Sequence, residues 1–262
     1  SIELKPDLYT NYTILAALLF TTGELEESVK YYTKLINKEI KERDSWLAFY
    51  MVLKAMSLNL DQKNIFGIGL MCLIALVYTT PWDNYLVMQN VWSYTPGVVL
   101  ATIGYVPIEE YGFMVTQTMF AGILWSLVSS KVNVSGLSFS GKGIVASLIP
   151  GVLGGFFLFH KSGTYAGLIL VWAFPPLAMQ WGLGARVLLT SLKRWMPLWA
   201  GLTLYLCLAD AYAISANIWT ITSATRSGIE VGNLPIEEAL FFALTNLFVF
   251  QGLCLWKAWR NR

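Results

Sequence analysis

Hydrophobic and polar positions alternate differently in the two parts of the chain. Near the front, Tyr12, Leu15, Ala16 and Leu19 precede Gly23-Glu24-Leu25-Glu26-Glu27-Ser28, and Tyr32 and Leu35 follow. This spacing predicts two short antiparallel helices joined at a glycine turn. Beyond Lys63 the pattern changes to long apolar runs over roughly 64–79, 107–128, 143–159, 164–183, 195–214 and 235–256. At about 1.5 Å rise per residue, the longer runs cross a hydrocarbon layer of about 30 Å with some tilt, and the shorter ones do so with their flanks. The expected fold is therefore all-α: an integral membrane bundle of about six spans, preceded by a short helical hairpin.

Trp46 lies 34 residues after Tyr12, the period of a tetratricopeptide repeat, and a helix over 45–56 would be half of a further unit. Residues 1–57 thus resemble one and a half such units, fewer than the three or so that bury a core of their own. Residues 10–56 are accordingly expected to lean on the membrane domain, 58–262, or on a protein partner. Threading six spans puts Lys63, Lys131, Lys142, Arg186, Lys193, Arg194, Lys257, Arg260 and Arg262 on one side and only Lys161 and Arg226 on the other. The positive-inside rule then places both termini in the cytoplasm-equivalent compartment.

One pattern occurs twice. Asp83-x-Tyr85-x4-Asn90-Val91-Trp92-Ser93 returns 127 residues later as Asp210-x-Tyr212-x4-Asn217-Ile218-Trp219-Thr220. After a loop containing Gly104 or Gly232, each copy continues into Pro107-Ile108-Glu109-Glu110 or Pro235-Ile236-Glu237-Glu238, which opens a long apolar run. Two parallel repeats, about 64–128 and 195–256, are expected, with their acids on one membrane face. Taken singly, Pro-x-Glu-Glu is an ordinary helix start, since proline and carboxylates both suit the first turn. The duplication changes that reading. Every charged residue inside these spans is an acid of the repeated pattern, and a carboxylate in an apolar region costs roughly 2.5–3.5 kcal/mol on insertion scales. Asp83 and Asp210 also suit a headgroup or turn position. Of the aromatics gathered at this face, Trp82, Tyr85, Trp92, Tyr94, Tyr212 and Trp219 are candidates for touching substrate, although interfacial belts hold many such rings.

Composition removes several chemistries. Hydrophobic residues make up 56% of the chain and charged ones 13%, with a net charge of +2; no polybasic groove for nucleic acid follows. Ser1 opens a polar stretch in which no secretory leader is expected. Cys72, Cys207 and Cys254 fall in apolar runs without paired spacing and read as small buried hydrophobes. His160 is the only histidine, too few for a multi-histidine iron site. There is no aspartate-rich diphosphate motif, and Gly67-x-Gly69 and Gly182-x-Gly184 lack the third glycine of a dinucleotide fingerprint. No metal and no cofactor are expected. Acid–base chemistry on a lipid, or movement of an ion or solute, remains.

The residues Thr80-Pro81-Trp82-Asp83-Asn84-Tyr85, Trp92-Ser93-Tyr94, Gly104-Tyr105-Val106-Pro107-Ile108-Glu109-Glu110-Tyr111 and Pro235-Ile236-Glu237-Glu238-Ala239-Leu240-Phe241-Phe242 resemble the membrane-embedded lycopene cyclase domains of fungi, archaea and actinobacteria. The resemblance covers about 66–257. It implies a redox-neutral, flavin-free isomerisation of a lipid-soluble carotenoid, in which a linear lycopene-type end group becomes a ring, by default a β-ring. It also implies a further hydrophobic span ahead of the first motif, where this chain has its charged front segment; the helix at 46–56 would stand in for it. Fungal single-chain relatives carry a phytoene synthase domain as well, an activity not assigned here.

On this reading one glutamate stays protonated through burial and repulsion from its neighbour, and protonates the terminal double bond. A second carboxylate then takes a ring-adjacent proton. Glu109 and Glu237 are expected as the principal pair, with Glu110 and Glu238 beside them in either order and Asp83 and Asp210 in support. Aromatic faces would attract the passing cation by about 0.5–2 kcal/mol. Two readings from other classes stay open: a small transporter using intramembrane acids, and a catalytically silent membrane scaffold.

Overall fold

The computed structural model describes residues 62–262 other than 96, 98, 135 and 262; the expected hairpin, the tetratricopeptide-like segment and its docking role lie outside the described residues. Backbone contacts set Phe66–Arg262 apart as one unit. It runs α1 (Gln62–Met88), β1 (Trp92–Tyr94), β2 (Thr102–Ile103), β3 (Val106–Pro107), α2 (Ile108–Ser129), α3 (Gly141–Phe157), a single turn at Lys161–Gly163, α4 (Thr164–Ser215), β4 (Trp219–Ile221), β5 (Glu230–Val231), β6 (Leu234–Pro235) and α5 (Ile236–Arg260). The described part is thus mostly helical, and its strands are two or three residues long.

Four helical stretches, α1, α2, Lys161–Ser215 and α5, are long and apolar enough to cross a membrane, and α3 is a shorter apolar helix. Large apolar side chains stand on their outer faces, Phe66, Leu73 and Val77 on α1 and Val152 and Phe156 on α3 among them. Continuous exposed apolar surface of this kind suits lipid and not water.

Although α4 is continuous by hydrogen bonding, Gly184 leaves helical geometry with φ −164° and ψ 37°. Two limbs result, 164–183 and 185–215. Tyr165 near the start and Asp210 near the end both lie beside Glu238, so the element folds back on itself at that glycine. The first limb packs on α3 along a seam of small residues. Gly143, Ser147, Gly151 and Gly154 share one face of α3, and a side chain on Gly143 would meet the Trp181 carbonyl at 2.3 Å. Close backbone approach through small residues replaces a hydrophobic driving force that lipid cannot supply.

α2 and α5 run parallel. Gln117 Nε2 donates to Thr245 Oγ1 at 2.8 Å, Trp125 Nε1 to Cys254 Sγ at 3.2 Å, and Lys257 Nζ to the Ser129 carbonyl, so partner numbers rise together. Around them Trp125, Trp195, Phe250 and Leu253 form the centre of the core.

Ahead of α2 and α5 stand two matching hairpins, β2–β3 and β5–β6. Each has a two-residue loop that begins with glycine at positive φ, 67° at Gly104 and 69° at Gly232, as the tight turn with glycine first requires. Each then enters its helix through a proline cap, Pro107 or Pro235.

The α3–α4 seam predicts that Gly143→Val, which drives a branched side chain into backbone, destabilises the protein by about 1–3 kcal/mol. Gly155→Ala, where added atoms meet nothing within 4 Å, is expected to hold or slightly raise stability. Thermal unfolding of both variants in detergent micelles checks the pair.

Candidate active site

α2 and α5 begin with the same short sequence, and their geometry explains how consecutive glutamates separate. Neighbouring residues on a helix point about 100° apart, at 3.6 residues per turn. Glu109 and Glu237 turn back to the preceding loop: Glu109 Oε1 accepts from the Leu100 N–H at 2.7 Å, and Glu237 Oε1 from the Ser227 N–H at 2.6 Å. Glu110 and Glu238 turn into the bundle. There they line a cavity of about 700 Å3 together with Asp83 and Asp210.

The cavity is long and greasy. From Glu238 its wall follows Phe241, Phe242, Thr245, Phe248, Gly252 and Leu255 along one face of α5, about 25 Å at 1.5 Å per residue. α1 contributes Met71, Ile74 and Tyr78, and the first limb of α4 contributes Trp172, Met179 and Leu183. No Lys, Arg or His is among the residues that line it. All four carboxyls thus occupy one end of an apolar slot, without a neutralising cation in the wall. They are near enough to interact electrostatically: Asp83 with Glu110, Glu238 with Asp210, and Glu110 with both members of the second pair.

Three of the four, Glu238, Glu110 and Asp210, are held by neutral donors instead. Tyr165 Oη donates to Glu238 Oε1 at 2.5 Å, within the buried interior. Tyr94 is in hydrogen-bond contact with Glu110; burial first, and then the Glu110 carboxylate, push the Tyr94 phenol up, which keeps it a donor. The Trp219 side chain hydrogen-bonds Asp210. One oxygen on each aspartate, Asp83 Oδ2 and Asp210 Oδ2, is buried without a partner.

Over the acid end lies the β1–β4 ribbon, in the register Trp92 to Ile221, Ser93 to Thr220 and Tyr94 to Trp219. Strand alternation sends Trp92, Tyr94 and Trp219 inward to the cavity wall and leaves Ser93 and Thr220 exposed. The ribbon is fastened on both flanks alike. Thr95 Oγ1 donates to the Asn217 carbonyl at 2.6 Å and Thr222 Oγ1 to the Asn90 carbonyl at 2.5 Å. Both asparagines sit at φ 53°, a left-handed position that asparagine tolerates better than most residues.

Of the sequence-selected residues, Asp83, Asp210, Glu110, Glu238, Trp92, Tyr94 and Trp219 come together around the cavity. Glu109 borders it but is exposed, and Glu237, 1% exposed, lines a separate cavity of about 650 Å3 beside His160 and Phe157. Trp82 backs the wall, stacked on Trp172 with centroids 4.8 Å apart. Tyr85 and Tyr212 stand away from it, 45% and 73% exposed, because each is two positions from an inward aspartate and so faces the opposite side of its helix. Sequence reasoning missed Tyr165 and Trp172, which lie outside the duplicated pattern. Their spacing of seven within one apolar run was the available signal, since it puts both on one helical face.

A water-soluble carbodiimide with an added amine is expected to modify Glu109 well ahead of Glu237 and Glu238. Peptide mass spectrometry of the intact protein in detergent micelles reads the order directly.

Among known proteins, lycopene beta-cyclases of two Halobacterium salinarum strains are each 41% identical to the chain over 212 residues, covering 79% of it and 89% of the relative. A bifunctional lycopene cyclase/phytoene synthase of Gibberella fujikuroi is 31% identical over 229 residues, which span 38% of that larger protein. One from Aspergillus niger is 36% identical over 193 residues, 33% of its length. No family model matches the chain, and no solved structure does.

Proposed function

Since the chain belongs to the lycopene cyclase family, and is accordingly a membrane enzyme of carotenoid biosynthesis that closes linear end groups to rings, we propose that the carboxyl-tipped cavity is where this happens. The observation that carries the reading is the pairing of a long apolar slot with four carboxyls at one end and no cation in the wall. A polyene fits such a slot as an extended rod, and its terminal double bonds then lie among the acids. The product is a β-ring, as in the archaeal relatives' name.

Glu110 and Glu238 are the acid–base pair. One delivers a proton to the terminal double bond, leaving a tertiary cation. The neighbouring double bond supplies two electrons to close a six-membered ring, which moves the positive charge onto a ring carbon. The other carboxylate removes an adjacent ring proton and the electron pair falls back to a double bond. One proton enters and one leaves, so the step is redox-neutral. The four acids cannot all be ionised at close quarters without great cost, because charges at this spacing repel strongly in an apolar medium, and a carboxyl that keeps its proton is the donor the reaction needs. Asp83 and Asp210 share the proton load. Glu109 and Glu237 tether the loops that carry the acid end, and Tyr165 and Tyr94 position the reacting glutamates. Trp92, Trp172, Trp219 and Phe241 present ring faces to the cation without offering it a nucleophile.

For the bundle we infer six passes: α1, α2, α3, the two limbs of α4, and α5. Two parallel repeats, 64–128 and 195–256, build it. The parallel course of α2 and α5, the equal turns at Asn90 and Asn217 and the matched fastenings of the ribbon support that arrangement. The basic ends near Lys63, Lys131, Lys142, Lys193 and Arg194 then face the cytoplasm-equivalent side, and the acid end faces away.

Expression in cells that accumulate lycopene, with pigments separated by chromatography, tests the reading. Glu110→Gln and Glu238→Gln are each expected to lower ring formation by roughly 10²–10⁴-fold with protein still in the membrane; wild-type rates in both would remove them from the chemistry. Tyr165→Phe, which takes one hydrogen bond from a carboxylate, is expected to cost roughly 10–100-fold in kcat, by the 1.5–3 kcal/mol that such bonds contribute, with KM little changed.

A further inference from the structure

Cyclisation through a cation has a competitor that uses the same intermediate. Water that reaches the ring-carbon cation left by closure adds through its oxygen and passes its extra proton to a carboxylate, which gives a cyclic tertiary alcohol at the oxidation level of the ring alkene plus water. The structure puts the acids at one end of the cavity, with the β1–β4 ribbon between them and the exposed face. Resting on the reading of the cavity as the cyclisation site, we propose that this ribbon sets the product: Trp92, Tyr94 and Trp219 keep water from the cation, so that it ends by proton loss instead of hydration.

Three observations carry this. The ribbon is one side-chain layer thick, for the residues between the inward aromatics, Ser93 and Thr220, are exposed. Those two hydroxyls lie 3.2 Å apart on the outer face, whereas the inner face carries rings and Ile221, with a single hydroxyl, that of Tyr94, engaged with Glu110. A slip of either strand by one residue would turn its own hydroxyl, Ser93 or Thr220, inward. Both flanks are therefore fastened, by Thr95 to Asn217 and by Thr222 to Asn90, and the backbone is further tied from Thr95 N to Ile218 O and from Thr222 N to Val91 O. Inside, Trp92 packs edge-on against Tyr165, Trp82 and Trp219, with centroids 5.6, 6.0 and 6.1 Å away. The seal is thus continuous with the wall behind the acids. Removing one indole opens far more than the roughly 10–15 Å3 that admits a water molecule.

The full-length chain carrying Trp219→Ala or Trp92→Ala, and the milder Trp219→Leu, is assayed in membranes supplied with lycopene in 18O-labelled water. The expected result is a cyclised product heavier by one labelled water, rising from undetectable in the wild type to a substantial share of cyclised material in at least one variant. Variants that form only the cyclic alkene overturn the proposal. So does loss of all product in the alanine variants together with alkene alone from Trp219→Leu. A wild-type chain that forms no ring at all, read on the same chromatogram, overturns the cyclisation reading and this inference with it.

Discussion

Four carboxyl groups gathered without a counter-cation impose the constraint from which the rest of this architecture follows. An ionised carboxylate moved into an apolar interior and left unpaired costs several kcal/mol. A lysine or arginine in the cavity wall would relieve that cost and would also hold the acids ionised. The chain instead surrounds them with neutral donors: Tyr165 on Glu238, Tyr94 on Glu110, the Trp219 side chain on Asp210. The outer glutamates use backbone N–H groups for the same purpose. Each donor has to be delivered by an element that is itself rigid. This is why the acid end is the place where the ribbon, both hairpins, the start of α4 and the starts of α2 and α5 converge.

Much of this was legible in the residues. Duplicated motifs 127 and 128 positions apart located both halves of the acid cluster, and apolar runs located the helices, because spacing and hydropathy are local properties of a chain. The turn at Gly184 is a different matter. Sequence runs at 164–183 and 195–214 implied two helices, while the backbone between them stays helical except at one glycine, and only packing of both limbs on α5 forces the fold-back. Which glutamate of each pair enters the cavity was also hidden. Proline as a cap instead of a first helical residue moves the helix start to Ile108 and Ile236, and that phase decides which side chain turns inward.

Tyr165 was out of reach for another reason. It has no counterpart in the duplicated pattern and owes its place to tertiary packing, in which α4 brings it 73 positions away in sequence to Glu238. The two glutamates that face the cavity are consequently alike in their own helices and unlike in their partners. Glu110 depends on a tyrosine from the ribbon, and Glu238 on one from a helix that the α3 seam holds in position. Gene duplication can supply matching carboxyls; division of labour between them needs neighbours that differ.

The cavity has acids at one end only, and its wall runs to Leu183, Gly252 and Leu255 at the other. A rod with two like tips can therefore offer one tip per visit. If the cavity is the cyclisation site, as proposed above, conversion of the second tip requires the half-finished molecule to withdraw into the bilayer, reverse and return, and the singly closed pigment would then be a free species of the membrane, open to capture by any other enzyme there.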